Sequence, residues 1–505
     1  MSEMLKKNKL SKYVEVLKEN GVFKSSSIKT ENMDIEIECL TYDTREVTAN
    51  ALFVCKGAHF KDEYAHVAMN SGAVCYVSER EIEGAGDYIL VSNVRRAMVY
   101  LAECFYDHAT EKVTSIGLTG TKGKSTTAFY LKAIMDSYFE DIGKKDTAII
   151  SSISTYDGVT NEESHLTTPE AIPLHKHFNN AYESGISHLI MEVSSQALKY
   201  DRVLNVNFDI ACFTNIGLDH ISSTEHKDFN DYFSSKLKIF DSCKLACINT
   251  DSDHIDEIMD YAKGKCEIIT YGTSEKDMIY CSNIEKRGNA TYFTVRTPEF
   301  KEELYITMPG LFNVSNALAA IAMAYALKIP KKYVIESLKT ARVNGRMLIY
   351  TSKDNKIIGI VDYAHNKMSF DAIFKSTKLE YPDRKIITVF GCPGNKAPMR
   401  RHDLGLSAGQ NSDYLVITED DPEEEDFADI CNEIVKHIGN CKHYIIENRG
   451  EAIKKAFFGC TDQPRIILML GKGEEANIRR GTEIIECPSD SDYAIRYLKE
   501  YDKEN

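Results

Sequence analysis

The stretch VTSIGLTGTKGKSTTAFYLKAIM, from Val113 to Met135, constrains the fold of this chain more than any other. Its first six residues have the β-branched and apolar character of a short buried strand, and from Lys124 the apolar spacing is that of a helix. Glycines at 120 and 123 would let the backbone approach an anion closely, and the first N–H groups of a helix bind phosphate oxygens. The stretch therefore predicts a strand, a phosphate-binding loop and a helix.

The polar residues of this loop suit a nucleotide triphosphate. The Lys124 ammonium would neutralise phosphate charge, and the Ser125 hydroxyl would bind Mg²⁺. The spacing departs from that of a standard Walker A loop, which has Gly where this chain has Leu118. An ordinary Gly-rich turn is the alternative, and the order of strand, turn, Lys-Ser pair and helix argues against it. The predicted ATP contacts in the loop are Gly120, Thr121, Gly123, Lys124, Ser125 and Thr126.

Length and composition limit the class of protein. A chain of 505 residues is too long for one hydrophobic core and suggests about three domains. The excess of 76 acidic over 61 basic residues gives a net charge of −15, which disfavours nucleic acid as a partner. No signal-peptide-like stretch and no apolar run of membrane-spanning length occurs, so we expect a cytosolic monomer without membrane insertion. The 14 cysteines lack paired CxxC spacing, which favours free thiols over zinc sites or disulfides.

The chain order predicts an α/β fold with three domains. Residues 1–110 give an opening amphipathic helix and then short strands, a loop and a helix. Residues 111–341 alternate strand and helix, which indicates a mostly parallel sheet covered on both faces. Residues 342–505 contain five strands that each end in Gly or polar residues, as in a Rossmann-like sheet. The GxGxxG fingerprint is missing there, so no nicotinamide cofactor is implied.

Two strands of the central region end in candidate metal ligands. SHLIMEVSSQAL is a buried strand that presents Glu192 at its carboxyl end, where open α/β sheets bind ligands and where Mg²⁺ would sit beside the phosphate loop. A strand-end acid that caps the next turn is the alternative. IACFTNIGLDH ends in Asp219 and His220, and His220 is either a structural histidine or a ligand of a second Mg²⁺. In DYFSSKLKIF, a helix, the default for Lys236 and Lys238 is a solvated surface.

Other polar positions leave two interpretations open. GLFNVSNALAA starts a long apolar helix, in which Asn313 or Asn316 either caps the helix or binds an adenine edge. The polar turn at Asp43, Thr44 and Arg45 suits solvent at least as well as a phosphate or a uracil. The acid run from Glu419 to Asp426 would usually be a solvated loop, although it follows a strand's carboxyl end, where substrates bind.

Fifteen motifs occur in the order of one known family. They are YDTREV, ALFVCKG, TGTKGKSTT, LTTPEA, MEVSSQAL, FTNIGLDH, YFSSKLKIF, INTD, FNVSNALAA, NGRM, VDYAH, VFGCPG, DDP, NRGEAI and GKGEE. On these motifs the chain resembles the Mur ligase family over nearly its whole length. LTTP and EVSS make it most similar to the MurE type, which adds the third residue of the peptidoglycan stem peptide to UDP-N-acetylmuramoyl-L-alanyl-D-glutamate.

The resemblance implies an ATP-dependent acid–amino-acid ligase of peptidoglycan synthesis, and so of cell wall biogenesis, cell shape and cell division. It implies a UDP-binding first domain, an ATP-binding central domain and an amino-acid-binding third domain. A carboxylate would be activated to an acyl phosphate and attacked by an amine, with two Mg²⁺ ions and the loop lysine stabilising the transferred phosphoryl group. The domains would have to close to bring the two reactants together.

The family's functional residues can be carried over by position. Lys124 and Ser125 would hold the ATP phosphates and the first Mg²⁺, and Glu192 and His220 would hold Mg²⁺ ions. Lys236 matches a lysine that is carbamylated and so becomes an anion that binds the second Mg²⁺. The other matched positions contact the UDP substrate (Thr44, Arg45, Thr167, Thr168, Ser194 and Arg202) and ATP (Asn316, Arg346 and Asp362, followed by His365).

Some positions depart from the family pattern. Gln196 and Glu474 each replace a histidine, Leu348 replaces a glutamate, and Tyr200 stands where Gln is common. These changes leave the ATP chemistry intact but affect the assignment of substrate contacts.

The amino acid to be added is predicted from one motif. In family members that use meso-diaminopimelate, the motif after the fourth strand of the third domain resembles DNPR. The Arg of that motif pairs with the distal carboxylate of the substrate. This chain has Asp420, Asp421, Pro422 and Glu423, so an acid that repels a carboxylate replaces the Arg. We therefore expect L-lysine, with ornithine next. Glu475 matches a residue that contacts the amino group of diaminopimelate, which keeps that amino acid open as the alternative.

Two further alternatives come from other classes of protein. A relative that adds glutamate to folate shares the loop and the carbamylated lysine, but it lacks the uridine-type first domain and LTTP. A regulatory nucleotide-binding module would not need Lys124, Glu192, His220 and Lys236 together.

Overall fold

The computed structural model describes residues 7–57, 60–164, 166–219, 221–222, 225–288, 290–343, 345–394, 399–481 and 483–504. Sheets of five, eleven and six strands follow one another along the chain, with a two-stranded hairpin near its end. The α/β class and the three-part architecture are as predicted. Within the described ranges, no helix combines the length and apolar character needed to cross a membrane.

The first domain is a five-stranded sheet with three helices. Its elements are α1 (Leu10–Glu19), β1 (Phe23–Ser26), β2 (Cys39–Thr41), β3 (Ala51–Val54), α2 (Asp62–Asn70), β4 (Ala73–Ser78), β5 (Tyr88–Val91) and α3 (Val94–Phe105), with 3₁₀ turns at Thr30–Asn32, Thr44–Glu46 and Ala109–Glu111. The strand order is β1-β5-β4-β3-β2, and only β1 is antiparallel to its neighbour. Helix α1 buries Leu10, Tyr13, Val14 and Leu17, the spacing of one helical face, so the predicted amphipathic helix is confirmed.

The central domain contains the elements of the phosphate loop. They are β6 (Thr114–Thr119), α4 (Lys124–Asp141), β7 (Ala148–Ile150), β8 (Ser154–Tyr156), β9 (Asn161–Glu163), α5 (Ala171–Glu183), β10 (His188–Glu192), α6 (Ser195–Lys199), β11 (Phe208–Phe213), α7 (Phe229–Leu237), a 3₁₀ turn (Lys238–Ser242), β12 (Cys243–Asn249), α8 (Ile255–Ala262), β13 (Glu267–Gly272), β14 (Ile279–Arg287), β15 (Ala290–Arg296), β16 (Lys301–Ile306), α9 (Phe312–Ala326) and α10 (Lys331–Thr340). The predicted strand and the helix that begins at Lys124 are both confirmed.

The central sheet places the predicted ligand-binding ends side by side. Strands β7, β10, β6, β11, β12, β13 and β14 run parallel, and antiparallel strands extend the sheet at both edges. Strand β6 lies between β10 and β11, so the phosphate loop emerges between Glu192 at the end of β10 and the residues that follow Phe213. This is the edge at which parallel sheets bind ligands.

The main sheet of the third domain has one strand more than the predicted five, and a separate hairpin was not predicted. Its elements are β17 (Leu348–Thr351), β18 (Ile357–Asp362), α11 (Lys367–Glu380), β19 (Lys385–Phe390), α12 (Met399–Asn411), β20 (Tyr414–Ile417), α13 (Phe427–Val435), β21 (Lys442–Ile445), α14 (Arg449–Phe458), β22 (Arg465–Leu470), β23 (Asn477–Arg480), β24 (Glu483–Glu486) and α15 (Asp490–Glu504). The parallel strands β18-β22-β19-β20-β21 are those predicted, and β17 adds an antiparallel edge.

A buried ion pair joins the carboxyl ends of this sheet to the last helix. Arg449, the first residue of α14, forms two hydrogen bonds with the Asp490 carboxylate, at 2.7 and 2.6 Å. Its other N–H groups donate to the carbonyls of Glu419 and Leu470, at 3.2 and 3.1 Å. Both side chains of the pair are almost completely buried. The guanidinium therefore fixes the strand ends that carry the acidic loop.

Asp490→Asn tests this pair. The change leaves a buried guanidinium without its counter-charge, so the protein should lose about 3 kcal/mol or more of unfolding free energy in urea denaturation followed by circular dichroism. Asp34→Asn is the control, because Asp34 pairs with Lys9 on the exposed surface at 2.7 Å. An equal effect of the two substitutions would contradict the role given to Arg449.

Candidate active site

The phosphate loop has a conformation that only glycine supports at two positions. Gly120 and Gly123 have φ values of 143° and 84°. A Cβ atom at Gly120 would collide with the Thr214 hydroxyl, and one at Gly123 would collide with the Asn316 side-chain oxygen. The Lys124 ammonium folds back over the loop and donates to the Gly120 carbonyl at 2.9 Å. The loop is thus closely packed and has cationic character.

Lys236 lies beneath the same loop and is buried, with 2% of its surface exposed. The solvated surface expected by default for this lysine is wrong, whereas its neighbour Lys238 is exposed. The Lys236 ammonium also donates to the Gly120 carbonyl, at 2.9 Å. Burial, and then repulsion from Lys124, hold the pKa of Lys236 well below its usual value. Both effects destabilise the ammonium form of Lys236 relative to the neutral amine.

Ser125 and Glu192 lie on either side of one serine hydroxyl. The Ser125 Oγ is 3.0 Å from the Ser152 Oγ, and Ser152 donates its backbone N–H and its hydroxyl to Glu192 Oε1 at 2.9 and 3.3 Å. Glu192 is buried at the end of β10, as predicted, and its carboxylate stabilises the turn that contains Ser152. These oxygen atoms are of the kind that Mg²⁺ prefers.

The rest of a metal site would have to come from other groups. His220, the predicted ligand of the second ion, lies outside the described residues. Among the residues that are described, no group of three or more His, Cys, Asp or Glu side chains converges on one point. Ser125 and Glu192 thus fit a hard cation only if phosphate oxygens, water or a further anion complete the set.

Side chains of the third domain reach the central domain close to the loop. Asp219 accepts a hydrogen bond from Asn366 Nδ2 at 2.5 Å and lies 3.4 Å from the Arg400 guanidinium. Lys122 Nζ is 3.5 Å from the same carboxylate. Loss of hydration lowers the pKa of Lys122 to about 8, although Asp219 acts in the opposite direction. Cationic groups of both domains therefore face the cleft.

The predicted ATP residues divide between two elements. Asn316 lies in the second turn of α9 and abuts Gly123, and α9 begins at Phe312, so neither Asn313 nor Asn316 caps it. Asp362 ends β18 and accepts the N–H groups of Met347 and Ala364 at 2.9 and 2.8 Å.

One cation near this carboxylate is Arg346, whose guanidinium stacks on the Tyr363 ring at 4.9 Å. Burial raises the pKa of Asp362, although Arg346 acts in the opposite direction. Next to this tyrosine, His365 Nδ1 is 2.7 Å from the Tyr363 carbonyl. These four residues thus lie together at the end of β18.

The predicted substrate residues of the central domain form one network. The Thr168 hydroxyl is bound to the Glu192 carbonyl at 2.9 Å, accepts the Ser194 N–H at 2.9 Å and lies 3.3 Å from its hydroxyl. Arg202 donates to the Thr168 carbonyl at 3.2 Å and pairs with Glu170 at 2.8 Å. Lys56 of the first domain joins Glu170 at 2.7 Å, so this network crosses the domain boundary.

Other predicted substrate positions lie around this network. Thr167 is half-buried beside Thr168, and Gln196 is half-buried in α6. Tyr200, which follows α6, stacks against the Arg95 guanidinium of the first domain at 4.2 Å. Two of the departures from the family pattern, Gln196 and Tyr200, therefore lie near the predicted substrate residues.

Thr44 and Arg45 lie in the turn between β2 and β3. Asp43 caps this turn by accepting the Arg45 N–H at 2.9 Å and also pairs with its guanidinium. The polar turn favoured on physical grounds is confirmed, and the Arg45 side chain is exposed.

The predicted amino-acid residues include both buried and cation-paired acids. Asp420 is buried in the segment after β20, with its carboxylate near Gly471, and burial raises its pKa to about 6. The Lys472 ammonium pairs with Asp421 at 2.9 Å and with Glu475 at 2.7 Å. Glu423 has a φ of 53° and joins the hairpin through backbone hydrogen bonds to Arg479 and Gly481.

The acid run is therefore less negative than its sequence indicates. Arg401 forms a bidentate pair with Glu425, with both distances 2.6 Å, and Arg480 pairs with Glu419 at 2.7 Å. Glu474, at a position where the family has histidine, is bound to the Ser491 hydroxyl, and Leu348 lies in the edge strand β17.

Sequence reasoning missed four cations that the fold brings to the cleft. They are Lys56, Lys122, Arg400 and Lys472. Lys56, Lys122 and Lys472 lie in the motifs ALFVCKG, TGTKGKSTT and GKGEE, and this position could have indicated that they belong to the site. Arg400 lies in none of the fifteen motifs.

Two protein-family profiles match the regions that carry this site. The profile described as "Mur ligase middle domain" matches residues 118–324, and "Mur ligase, glutamate ligase domain" matches residues 345–473. A UDP-N-acetylmuramoyl-L-alanyl-D-glutamate–L-lysine ligase of Enterococcus faecalis is 35% identical over 468 residues, which is 91% of each chain. A UDP-N-acetylmuramoyl-L-alanyl-D-glutamate–2,6-diaminopimelate ligase of Clostridioides difficile is 33% identical over 88% of this chain and 91% of its own.

Solved structures show the same fold at lower identity. The structure of a UDP-N-acetylmuramoyl-L-alanyl-D-glutamate–2,6-diaminopimelate ligase has a TM-score of 0.64 at 20% identity and covers 98% of this chain and 99% of its own. A folylpolyglutamate synthase of Mycobacterium tuberculosis has a TM-score of 0.60 at 14% identity and covers 74% of this chain and 92% of its own. The chain belongs to the Mur ligase family, the ATP-dependent, amide-forming ligases of peptidoglycan synthesis, and within that family to the MurE type.

Proposed function

We propose that this protein uses ATP to join L-lysine to the D-glutamate of UDP-N-acetylmuramoyl-L-alanyl-D-glutamate. The relatives of the MurE type act on this dipeptide, and they add either L-lysine or 2,6-diaminopimelate. The observation that carries the choice of lysine is Glu423, an acid at the position of the arginine that would bind a distal carboxylate. The boundaries of its three domains lie near residues 110 and 341, and it works as a cytoplasmic monomer.

The first step is the activation of the substrate carboxylate. Thr168, Ser194 and Arg202 orient the dipeptide at the end of β10, and the glycine loop with Lys124 holds the phosphates of ATP at the end of β6. A carboxylate oxygen attacks the γ-phosphorus, ADP leaves, and an acyl phosphate forms. Two Mg²⁺ ions, held by Ser125, Glu192, His220 and carbamylated Lys236, would supply charge neutralisation on the transferred phosphoryl group.

The environment of Lys236 supports its carbamylation. A buried amine beside the Lys124 cation is favoured in its neutral form, and the neutral amine is the nucleophile that attacks CO₂. The C–N bond forms, one proton is released, and the side chain becomes an anion. This anion relieves the repulsion between the two lysines and adds the oxygen ligands that the described residues do not provide.

The second step is the attack of the amino acid on the acyl phosphate. The α-amine adds to the acyl carbon, the amide forms, and phosphate leaves. Near the proposed pocket for the side chain, Lys472 and Arg480 are each occupied by acids, and the buried Asp420 lies beside them. A distal ammonium would find carboxylates there, whereas a second carboxylate would find no unoccupied guanidinium among residues 420–423.

Two alternatives remain as outcomes of the tests. Addition of meso-diaminopimelate is supported by Glu475, which matches a residue that contacts the amino group of that substrate. Addition of glutamate to a folate is disfavoured, because Lys56 of the first domain reaches the network that holds Thr168 and Arg202.

Lys236→Ala tests the carbamate. Loss of this anion should lower the rate of ligation about 100-fold or more, and short carboxylic acids should restore part of the rate by binding in its place. The measurement is phosphate release with ATP, Mg²⁺, the UDP-dipeptide and lysine. Lys238→Ala is the matched control because Lys238 is exposed in the same segment. Full activity of Lys236→Ala would sink the proposal.

Lys124→Ala tests the phosphate loop in the same assay. Removal of the ammonium that lies over Gly120 should abolish turnover, because this ammonium would neutralise charge on the transferred phosphoryl group. Carboxylic acids should not rescue this variant. A variant with normal turnover would show that ATP binds elsewhere.

Glu423→Arg tests the choice of amino acid. The wild-type protein should give a higher kcat/KM with lysine than with ornithine, meso-diaminopimelate, lanthionine or neutral amino acids. Glu423→Arg should move this preference at least tenfold toward meso-diaminopimelate, because a bidentate pair discriminates by more than about 1.4 kcal/mol. Glu424→Arg, one residue further along the exposed loop, is the control. A wild-type preference for meso-diaminopimelate would show that Glu423 does not set the specificity.

A further inference from the structure

Helix α11 of the third domain contacts the central domain at both of its ends. At its start, the capping residue Asn366 binds Asp219 at 2.5 Å. The next turn places Met368 against Gly217, where a Cβ atom would collide with the methionine. At its end, Glu380 contacts Lys286 of strand β14. The helix has 14 residues, so these two contacts are about 20 Å apart.

The contacts of Glu380 account for both of its carboxylate oxygens. Oε1 accepts the Gly310 N–H at 3.1 Å and the Ser376 hydroxyl at 2.7 Å, and Oε2 binds Lys286 Nζ at 2.5 Å. Ser376 in turn accepts the Leu311 N–H at 3.1 Å. The Glu380 side chain is 3% exposed. Two backbone N–H groups of the central domain thus depend on side chains of the third.

These N–H groups lie at the start of α9, which is not capped by a side chain of its own domain. A carboxylate there is favoured by the α9 dipole, whereas at the last residue of α11 it is disfavoured by the dipole of its own helix. Phe312, the first residue of α9, packs against the core of the third domain, together with Phe370 and Phe374 of α11. Glu380 therefore stabilises the contact between the central and third domains rather than helix α11, to which it belongs.

Helix α9 continues this junction to the phosphate loop. Asn313 holds the Pro309 carbonyl at 2.6 Å and receives the Asn316 side chain at 2.8 Å. Asn316 abuts Gly123, and the Thr127 hydroxyl of α4 lies 3.4 Å from its carbonyl. A continuous series of contacts runs from Glu380 to the loop that would hold the γ-phosphate.

We propose that Glu380 is a positioning residue that fixes the third domain against the phosphate loop for the second step of the reaction. With both ends of α11 held, the bound amino acid meets the acyl phosphate at a defined distance and water is excluded. Without Glu380, the end of α11 loses its ion pair with Lys286 and its hydrogen bond from Gly310, and the closed arrangement is less populated. This inference rests on the proposed function, since it assigns Glu380 to the transfer between the two domains.

The ratio of phosphate released to amide formed tests this role. In a coupled ligation the ratio is one. An acyl phosphate that waits in an open cleft is hydrolysed, so Glu380→Ala should lower kcat for amide formation about tenfold and raise the ratio above about two. Glu380→Gln keeps an acceptor for the Gly310 N–H, so its ratio should lie between those of the wild type and Glu380→Ala. Misfolded protein would lower both products together and leave the ratio at one.

Glu302→Gln is the control, because Glu302 pairs with Lys331 at 2.6 Å within the central domain. Small-angle X-ray scattering adds a readout that needs no substrate. The radius of gyration of Glu380→Ala should exceed that of the wild type and of Glu302→Gln. A ratio of one in folded Glu380→Ala and Glu380→Gln overturns the inference. If the wild type ligates none of the amino acids, the proposed function fails, and an unchanged radius of gyration then overturns the role of Glu380.

Discussion

Two lysine ammonium groups donate to one backbone carbonyl, that of Gly120, and the arrangement of the cleft depends on this interaction. Two like charges at a shared acceptor repel each other, and burial adds to the cost. Thr214 and Asn316 pack against Gly120 and Gly123 and leave no room for side chains at these positions, so the loop conformation that presents this carbonyl is closely constrained. Anions would reduce the repulsion between the two lysines, and the phosphates of ATP and a carbamate on Lys236 would be such anions.

The same excess of positive charge explains how the domains meet. Lys122 and Arg400 come from different domains and both face the Asp219 carboxylate. The third domain therefore contributes a guanidinium to a cationic region next to the phosphate loop. Glu380 holds the other side of the junction through hydrogen bonds and one ion pair. The junction between the two domains thus includes contacts at both ends of α11, one near the phosphate loop and one about 20 Å away.

The sequence predicts what local patterns encode, and it fails where contacts depend on distant residues. The strand and helix around the phosphate loop, Glu192 at the end of β10 and the five parallel strands of the third domain follow from runs of apolar residues. Strand β17 was not predicted because it is an edge strand whose residues are only partly buried. The hairpin of β23 and β24 was missed for a similar reason.

The site shows the same limit. Lys236 looks like a solvated lysine in its own helix, and its burial depends on a loop 116 residues earlier in the chain. The pairing of Lys472 with Asp421 and Glu475 reduces a charge that the acid run alone overstates. Residues of the loop and strand ends were found from motifs, whereas the cations at the domain junctions required the fold.

The central claim is that Lys236 carries a carbamate, and ¹³C NMR of protein equilibrated with ¹³C-labelled bicarbonate tests it most directly. The account predicts one labelled carbamate resonance that is present in the wild type and in Lys238→Ala and absent in Lys236→Ala. An active wild-type protein without this resonance, or with a resonance that persists in Lys236→Ala, would contradict it.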